Sequence, residues 1–518
     1  MKNALYILLI FACVFVGFSN RSFNIRERIP HADEAEQASV FLNLFQNGEY
    51  KYNPNGPHGP TLYYYAAAAA NMAGSPAPVQ ITVNYLRSLL LPFSLLIMAL
   101  YILFSPYVGR MAAWGACAAF CLSATASIYS VYFVQEIIFA AAILALAQAV
   151  WKFALKPSAL CAAAIGIFAA AAQSTKETAA IAYPAILLAL AIAASLDREM
   201  RENLKSAIFT RKILKFAAWS AGGFIIVFAA FYSSFGDNWR GVIDAFLSYA
   251  HFVQKAGSPE HSSGFAYYLK LLAIQKCEGA RFGELPILLL SIGGFLTACF
   301  EILKNKKGNK KAIAVIFMFS AATANIFLLS CISYKTPWLI LSPILLLFIC
   351  AGYAIQKALS LRPPAAWIVS VLALCAAGYW QYGLTKAAAA RYNCDPRNPF
   401  IYSHTVKDFG NLIKRVEDCA KVSEYGSDIP VAFITANSPW PAPWYLRNYR
   451  NVGYWDSRLP QDIGVYEIIV CDSNMEEAVS KSIDKSKYAS EFFGLRKNLI
   501  LTVYIKKELF DTLIEGRK

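Results

Sequence analysis

Several short polar runs interrupt an otherwise apolar chain, and each holds side chains able to move a proton or hold an anion. The first is His31-Ala32-Asp33-Glu34-Ala35-Glu36, which opens a helix-like stretch continuing through Val40, Phe41, Leu44 and Phe45. Carboxylates beside apolar surface are costly to desolvate and suit general base catalysis. Acids also favour helix N-termini through the dipole, so the local pattern leaves both readings open. The second run, Tyr52-Asn53-Pro54-Asn55-Gly56-Pro57-His58-Gly59-Pro60-Thr61-Leu62-Tyr63-Tyr64-Tyr65, reads as a structured turn leading into an interfacial aromatic helix. His58 suits a phosphate or a sugar hydroxyl, although a lone histidine is more often structural.

Further on, Arg87, Gln135-Glu136, Ser174-Thr175-Lys176-Glu177 and Ser333-Tyr334-Lys335-Thr336-Pro337-Trp338 stand at the ends of apolar stretches. Snorkelling accounts for any one cation there. It does not account for Glu136 and Glu177 accompanying the cations, which points to a shared pocket of both signs at the membrane boundary. Arg87, Lys176 and Lys335 suit a lipid-linked phosphate, Arg as a fork and Lys as a point charge. A nearby carboxylate would take the proton of an attacking hydroxyl. Together these groups suit glycosyl transfer from a polyprenyl-phosphate sugar.

The elements that must position these residues are membrane spans. Of 518 residues, 57% are hydrophobic and 16% charged, against roughly 25% charged in an average soluble domain. Windows near 20 residues place spans at about 83–104, 111–131, 137–155, 158–174, 179–196, 216–235, 285–303, 312–332, 337–356 and 365–384. No small-x-small cleavage site precedes Asn20, so residues 4–18 are expected as a retained first span. The total is about eleven helices. With a cytoplasmic N-terminus, alternation puts the basic clusters (Arg198 to Lys215; Lys304, Lys306, Lys307, Lys310 and Lys311) on one side, as the positive-inside rule requires. Every polar run above then falls on the opposite, outer side. The net charge of +15 is thus assigned to topology, and nucleic acid is not expected as a partner.

From 386 to 518 charges return, and β-rich runs at 431–435, 465–471 and 498–505 alternate with helical patterns at 405–420 and 475–482. A small extracytoplasmic α/β domain is expected there. Its Trp440, Trp444 and Tyr445 could stack on sugar rings or serve as core and interface anchors. Cys394, Cys419 and Cys471 fall in the same stretch, where a disulfide is compatible with an outer location but its pairing is not deducible.

The strings His31-Ala32-Asp33-Glu34-Ala35, Tyr52 through Tyr65, Gln135-Glu136, Thr175-Lys176-Glu177, Tyr334-Lys335-Thr336-Pro337-Trp338, Asp395-Pro396-Arg397-Asn398-Pro399 and Trp440-Pro441-Ala442-Pro443-Trp444-Tyr445-Leu446-Arg447 occur in order along nearly the whole chain. Together they resemble the GT-C class of integral-membrane glycosyltransferases, in the branch of protein O-mannosyltransferases and aminoarabinose transferases. The likeness is nearest to the prokaryotic flippase-associated mannosyltransferase family. The resemblance implies a mainly α, GT-C-type bundle over 1–385 with a catalytic first outer loop at 20–81, and an extracytoplasmic cap over 386–518. It implies inversion at the sugar carbon, with Asp33 as catalytic base, Glu34 beside it, and a second acidic position at Glu136. An arginine associated with the stretch before Glu136 is replaced by Val131, which would pass part of phosphate binding to Lys176, Arg87 or Lys335.

The expected function is therefore transfer of a sugar from a polyprenyl-phosphate donor to an extracytoplasmic glycan, lipid or protein, by a multi-pass protein of the cell membrane. Asp33 and Glu34 are the catalytic candidates, Arg87, Lys176, Lys335 and His58 the donor ligands, and Glu136, Glu177 and Tyr334 their support. No metal or other cofactor is expected, since the first loop lacks a DxD motif. The alternatives are a flippase or transporter, against which stands the absence of an inverted repeat, and a non-catalytic assembly subunit.

Overall fold

The computed structural model of the protein describes residues 2–26, 28–56, 58–257, 262–304 and 309–515. Pro57 of the tyrosine-rich run, and Lys306 and Lys307 of the second basic cluster, lie outside the described residues. The first part is a helical bundle: α1 (Lys2–Arg26), α2 (Ala32–Asn47), α3 (Thr61–Met72), α4 (Val83–Leu103), α5 (Arg110–Leu122), α6 (Glu136–Leu155), α7 (Ala159–Gln173), α8 (Ala179–Leu196), α9 (Arg198–Ile208), α10 (Lys212–Tyr232), α11 (Arg240–Ala256), α12 (Leu285–Lys304), α13 (Lys310–Cys331), α14 (Pro337–Ala358) and α15 (Pro364–Lys386). Among the described residues eight helices, namely α4, α6, α8, α10 and α12 to α15, are long and apolar enough to cross a membrane. Shorter apolar helices cover Tyr6–Ser22, Arg110–Leu122 and Ala159–Gln173, where the remaining spans are expected. The protein is a multi-pass membrane protein.

The expected span at 111–131 is broken at Ser123. That residue leaves helical geometry and caps the short helix Ala124–Tyr129 with its hydroxyl, and the buried Glu284 carboxylate accepts from Ser123 Oγ at 2.6 Å and from the Thr125 amide at 2.7 Å. The freed backbone donor is thereby satisfied inside the bundle rather than in lipid. Small residues bring helices together: a Cβ on Gly166 of α7 would overlap the Ser220 carbonyl of α10, and one on Gly352 of α14 the Ala112 carbonyl of α5. Core helices α6 and α14 are buried nearly all round, whereas α10 and α15 expose most of their apolar surface, as lipid-facing helices do.

The C-terminal part holds a five-stranded mixed sheet. After a small hairpin, β1 (Ile274–Cys277) and β2 (Ala280–Gly283), the sheet strands are β3 (Val431–Thr435), β4 (Val452–Asp456), β5 (Ile468–Asp472), β6 (Tyr488–Arg496) and β7 (Leu499–Lys506), in the order β4-β3-β5-β7-β6. β3 is parallel to β4 and β5, and β7 is antiparallel to β5 and β6. One face packs on α16 (Asp408–Val422) and α18 (Lys507–Glu515) through Phe409, Leu412, Phe433, Val470 and Leu509; the other packs on α17 (Glu476–Ser482) through Ile434, Ile469 and Val479. The central strands β3 and β5 are buried along their whole length. Cys394, Cys419 and Cys471 are each buried in different packing environments rather than joined.

The C-terminal part is joined to one end of the bundle by specific bonds. Tyr129 donates to the Phe400 carbonyl at 2.6 Å, Arg447 donates to the Ile81 carbonyl at 2.9 Å, and Tyr132 Oη lies 3.2 Å from His404 Nδ1. This end carries the N-terminus of α6 and the turn between α7 and α8. Lys152 and Lys156 stand at the far end of α6, and the basic segment 198–215 joins the far ends of α8 and α10.

Candidate active site

A cavity of about 510 Å³ lies at the end of the bundle to which the C-terminal part is bonded. Helix α2 presents Asp33, Glu36 and Gln37 to it; the turn before α6 presents Gln135 and Glu136; the turn before α8 presents Lys176 and Glu177; and the proline-rich loop presents His58. Ala180, Ile181, Leu329, Ile332 and Leu339 make one side apolar. Polar runs separated by up to about 300 residues in sequence thus meet in one place.

Each side chain is set by local structure. His31 caps α2, accepting the Asp33 amide N–H on Nδ1 at 3.0 Å, while the Glu34 carboxylate reaches back to the His31 amide at 3.1 Å. This reciprocal capping box fixes the first turn, and Gly48 ends the helix at φ 70°, a left-handed position that suits glycine. Asp33 then projects into the cavity with 46% of its side chain exposed. The His58 loop is pinned to the turn before α8, where the Gly59 amide donates to the Thr175 carbonyl at 3.2 Å and Thr61 Oγ1 to Thr175 Oγ1 at 2.8 Å. A side chain on Gly59 would overlap the Ser174 carbonyl, so this approach requires glycine. His58 Nδ1 is consequently 2.8 Å from Glu177 Oε2, and its ring stacks on Phe252 of α11.

Electrostatically the cavity is a set of coupled pairs. Lys176 Nζ is bound to Glu136 Oε1, and both side chains are 3% exposed. Burial alone would raise the Glu177 carboxyl; the His58 imidazole and its hydrogen bond outweigh that and hold it below the usual carboxylate range. Tyr63 donates to Gln37 Oε1, which also accepts from Gln135 Nε2 at 2.9 Å. The cavity thus holds the half-exposed Asp33 carboxylate together with Lys176, whose counter-charge, Glu136, is as buried as the lysine itself.

Some expected ligands lie elsewhere. Glu34 does not face the cavity: it is fully buried and accepts from Arg28 Nη2 at 3.1 Å, Arg87 Nε at 2.8 Å and Nη2 at 2.6 Å, and the Phe133 amide at 3.1 Å. Burial would raise its carboxyl, but the two guanidiniums hold it well below the usual range. Arg87, expected on a phosphate, is therefore committed to Glu34 and does not line the cavity. Lys335 turns away as well, donating to the carbonyls of Ser263, at 3.0 Å, and Ile332, whereas Tyr334, Thr336 and Trp338 from the same run do line the cavity. Trp440, Trp444 and Tyr445 serve the core and the junction: Trp440 packs against the bundle, the buried Trp444 carries the Arg447 guanidinium 4.0 Å above its ring, and Tyr445 packs beside Phe409.

Sequence reading missed Glu36, Gln37, Tyr249, His251 and Phe252 as cavity residues. The last three sit on α11, between the spans expected at 216–235 and 285–303. The signal was present: Ile243, Phe246 and Leu247 recur at helical spacing on an exposed face, while Tyr249 donates to Gln173 Oε1 at 2.7 Å on another.

No protein-family model and no curated protein matches the chain in sequence. Solved structures match along nearly its full length. The crystal structure of ArnT from Cupriavidus metallidurans bound to undecaprenyl phosphate superposes with a TM-score of 0.62 at 13% identity, covering 97% of this chain and 98% of that one. The archaeal oligosaccharyltransferase AglB from Archaeoglobus fulgidus, in complex with an inhibitory peptide and a dolichol-phosphate, gives a TM-score of 0.58 at 13% identity, covering 99% of this chain and 77% of that one. At such identity the likeness is one of fold, and it spans both the bundle and the C-terminal part. The chain has the GT-C fold of integral-membrane glycosyltransferases.

Proposed function

We propose that the protein is a glycosyltransferase that moves a sugar from a polyprenyl-phosphate donor to an extracytoplasmic acceptor with inversion. The observation that carries this reading is the meeting of an exposed carboxylate, Asp33, with Lys176 and His58 in one cavity that has an apolar side. Solved proteins of the same fold bind undecaprenyl phosphate and dolichol-phosphate, which supports a lipid-linked donor here.

In this reading the prenyl chain lies along Ile181, Leu329 and Ile332, and the phosphate lies near Lys176 and His58. Asp33 takes the proton of the acceptor hydroxyl as its oxygen bonds to the anomeric carbon, while the bond from that carbon to the phosphate oxygen breaks. The leaving phosphate gains negative charge, which Lys176 meets at the cavity wall. Glu136 and Glu177 hold Lys176 and His58 in place, and Arg87 and Lys335 take no part. The reading includes no metal or other cofactor. The bundle end bearing the cavity and the C-terminal part are placed outside the cell membrane, opposite the basic loops.

The test is transfer from a synthetic polyprenyl-phosphate sugar by the purified protein, with Lys176→Ala compared in donor binding. Free polyprenyl phosphate should be released, and Lys176→Ala should weaken donor affinity by about tenfold or more, the loss of one charge-assisted contact. Donor movement across vesicles without sugar transfer would favour a flippase instead.

A further inference from the structure

A second cavity, of about 260 Å³, lies between α5, α12, α14 and α15 and shares no lining residue with the first. Its walls are apolar, with Trp114, Leu122, Leu290, Ile355 and Gly378 among them, and no charged side chain lines it. On α15 the lining runs from Val371 to Gln381, about 15 Å at helical rise and so about half the depth of a bilayer's hydrocarbon. The shape is that of a slot for a chain. Since α15 exposes most of its apolar surface, and the slot-lining Cys375 on it is exposed, the slot is reached from lipid.

Gln381 is the polar end of the slot. Its side chain is buried, and Nε2 donates to Glu284 Oε2 at 3.0 Å, with the Thr385 hydroxyl at 3.4 Å and the Gly283 carbonyl at 3.5 Å beside it. A carbonyl only accepts, and Thr385 gives its own hydrogen to the Leu122 carbonyl, so the amide nitrogen belongs on this side. Oε1 is thereby turned from these groups; it is buried, and no donor among the described residues reaches it. A buried acceptor left unmet is costly. Water does not answer it, because a bound water needs about two to four polar partners and the slot offers this one.

We propose that the slot binds an uncharged lipid alcohol, with its hydrocarbon chain between α15 and the core helices and its hydroxyl donating to Gln381 Oε1. An apolar cavity of about 150 Å³ already stays dry and takes up benzene, so a larger one open to hydrocarbon fills with a chain. The hydroxyl supplies the donor that Oε1 lacks. An alkane chain would leave Oε1 unmet, and a phosphate head would meet no cation in this wall while standing near the Glu284 carboxylate. The bound chain completes the packing of α15 on the bundle, where Ala118, Ala377 and Gly378 leave the gap. This site is separate from that of the charged donor and stands whether or not Asp33 is the base.

The test is photo-crosslinking of a diazirine-bearing hexadecanol to the full-length protein in phosphatidylcholine nanodiscs, with the labelled peptides mapped by mass spectrometry. Saturable labelling should fall on α5 and on Val371 to Gln381 of α15. At equal mole fraction in the bilayer, unlabelled hexadecanol should displace the probe about tenfold better than hexadecyl methyl ether, which lacks the donor, or hexadecyl phosphate. Equal displacement by the ether or the phosphate would overturn the proposal, as would non-saturable labelling spread equally over the lipid-facing α10. Gln381→Met should erase the preference for alcohol over ether; a preference that survives would overturn the role of Oε1. Because Gln381 also holds Glu284, Gly378→Leu supplies a second comparison: a Cβ there meets only Leu122, at 3.9 Å, so the side chain enters the slot without a clash. Saturable labelling should vanish in this variant while Tm is kept or raised, and labelling as in wild type would overturn the site.

Discussion

Asp33 leaves nearly half of its side chain open to the cavity, whereas Glu34 beside it is buried and takes hydrogen bonds from Arg28, Arg87, His31 and Phe133. Successive residues on a helix point about 100° apart, so two adjacent acids cannot share one role. Breaking a buried ion pair by removing one partner typically costs 3–5 kcal/mol, and Glu34→Gln should lower stability by about that much, read as a fall in Tm in detergent. The pH dependence follows from the depressed carboxyl: the pairing contributes fully above the unfolded-state value of about 4.3 and is lost as pH falls through the lower folded value. The deficit of Glu34→Gln relative to wild type should thus stay constant from neutrality to about pH 5 and shrink below it; a constant deficit down to pH 2 would contradict the pairing. The motif announced acids in the sequence, but not which acid faced solvent. That depended on Arg87, 53 residues away, whose type alone fits a phosphate and a buried carboxylate equally well.

Helices were legible where apolar runs are long, because a bilayer demands about 20 residues whatever their neighbours do. Breaks inside such runs were not: the kink at Ser123 depends on Glu284, far along the chain. In the C-terminal part the central strands β3 and β5 read clearly from their apolar runs. The edge strands β4 and β6 did not, since both carry polar and half-exposed positions that blur the pattern. The contact of the His58 loop with the turn before α8 is likewise invisible in sequence, although Gly59 marks it. Gly59→Ala forces a methyl into the Ser174 carbonyl. It should lower stability by about 1–3 kcal/mol and displace His58, so donor affinity and Tm fall together; an unchanged Tm would show that the two segments are not in contact.

At the scale of the whole molecule, the polar runs converge at one end of the bundle, and the C-terminal part closes over that end through Tyr402, Phe400 and Arg447. The alternation of spans and basic loops already implied such a single face, but it could not show that Arg87 and Lys335 turn away from the cavity. Protease added to intact spheroplasts should cleave within 392–515 and leave the basic segment 198–215 uncut; the reverse pattern would contradict the orientation. The central claim, that Asp33 is the base of a lipid-linked sugar transfer, is tested most directly by Asp33→Asn, which keeps the shape of the side chain but cannot accept the hydroxyl proton. Assayed with a synthetic polyprenyl-phosphate sugar, this variant should lose about two to four orders of magnitude in turnover while binding the donor nearly as wild type does. Near-normal turnover in Asp33→Asn would contradict the account.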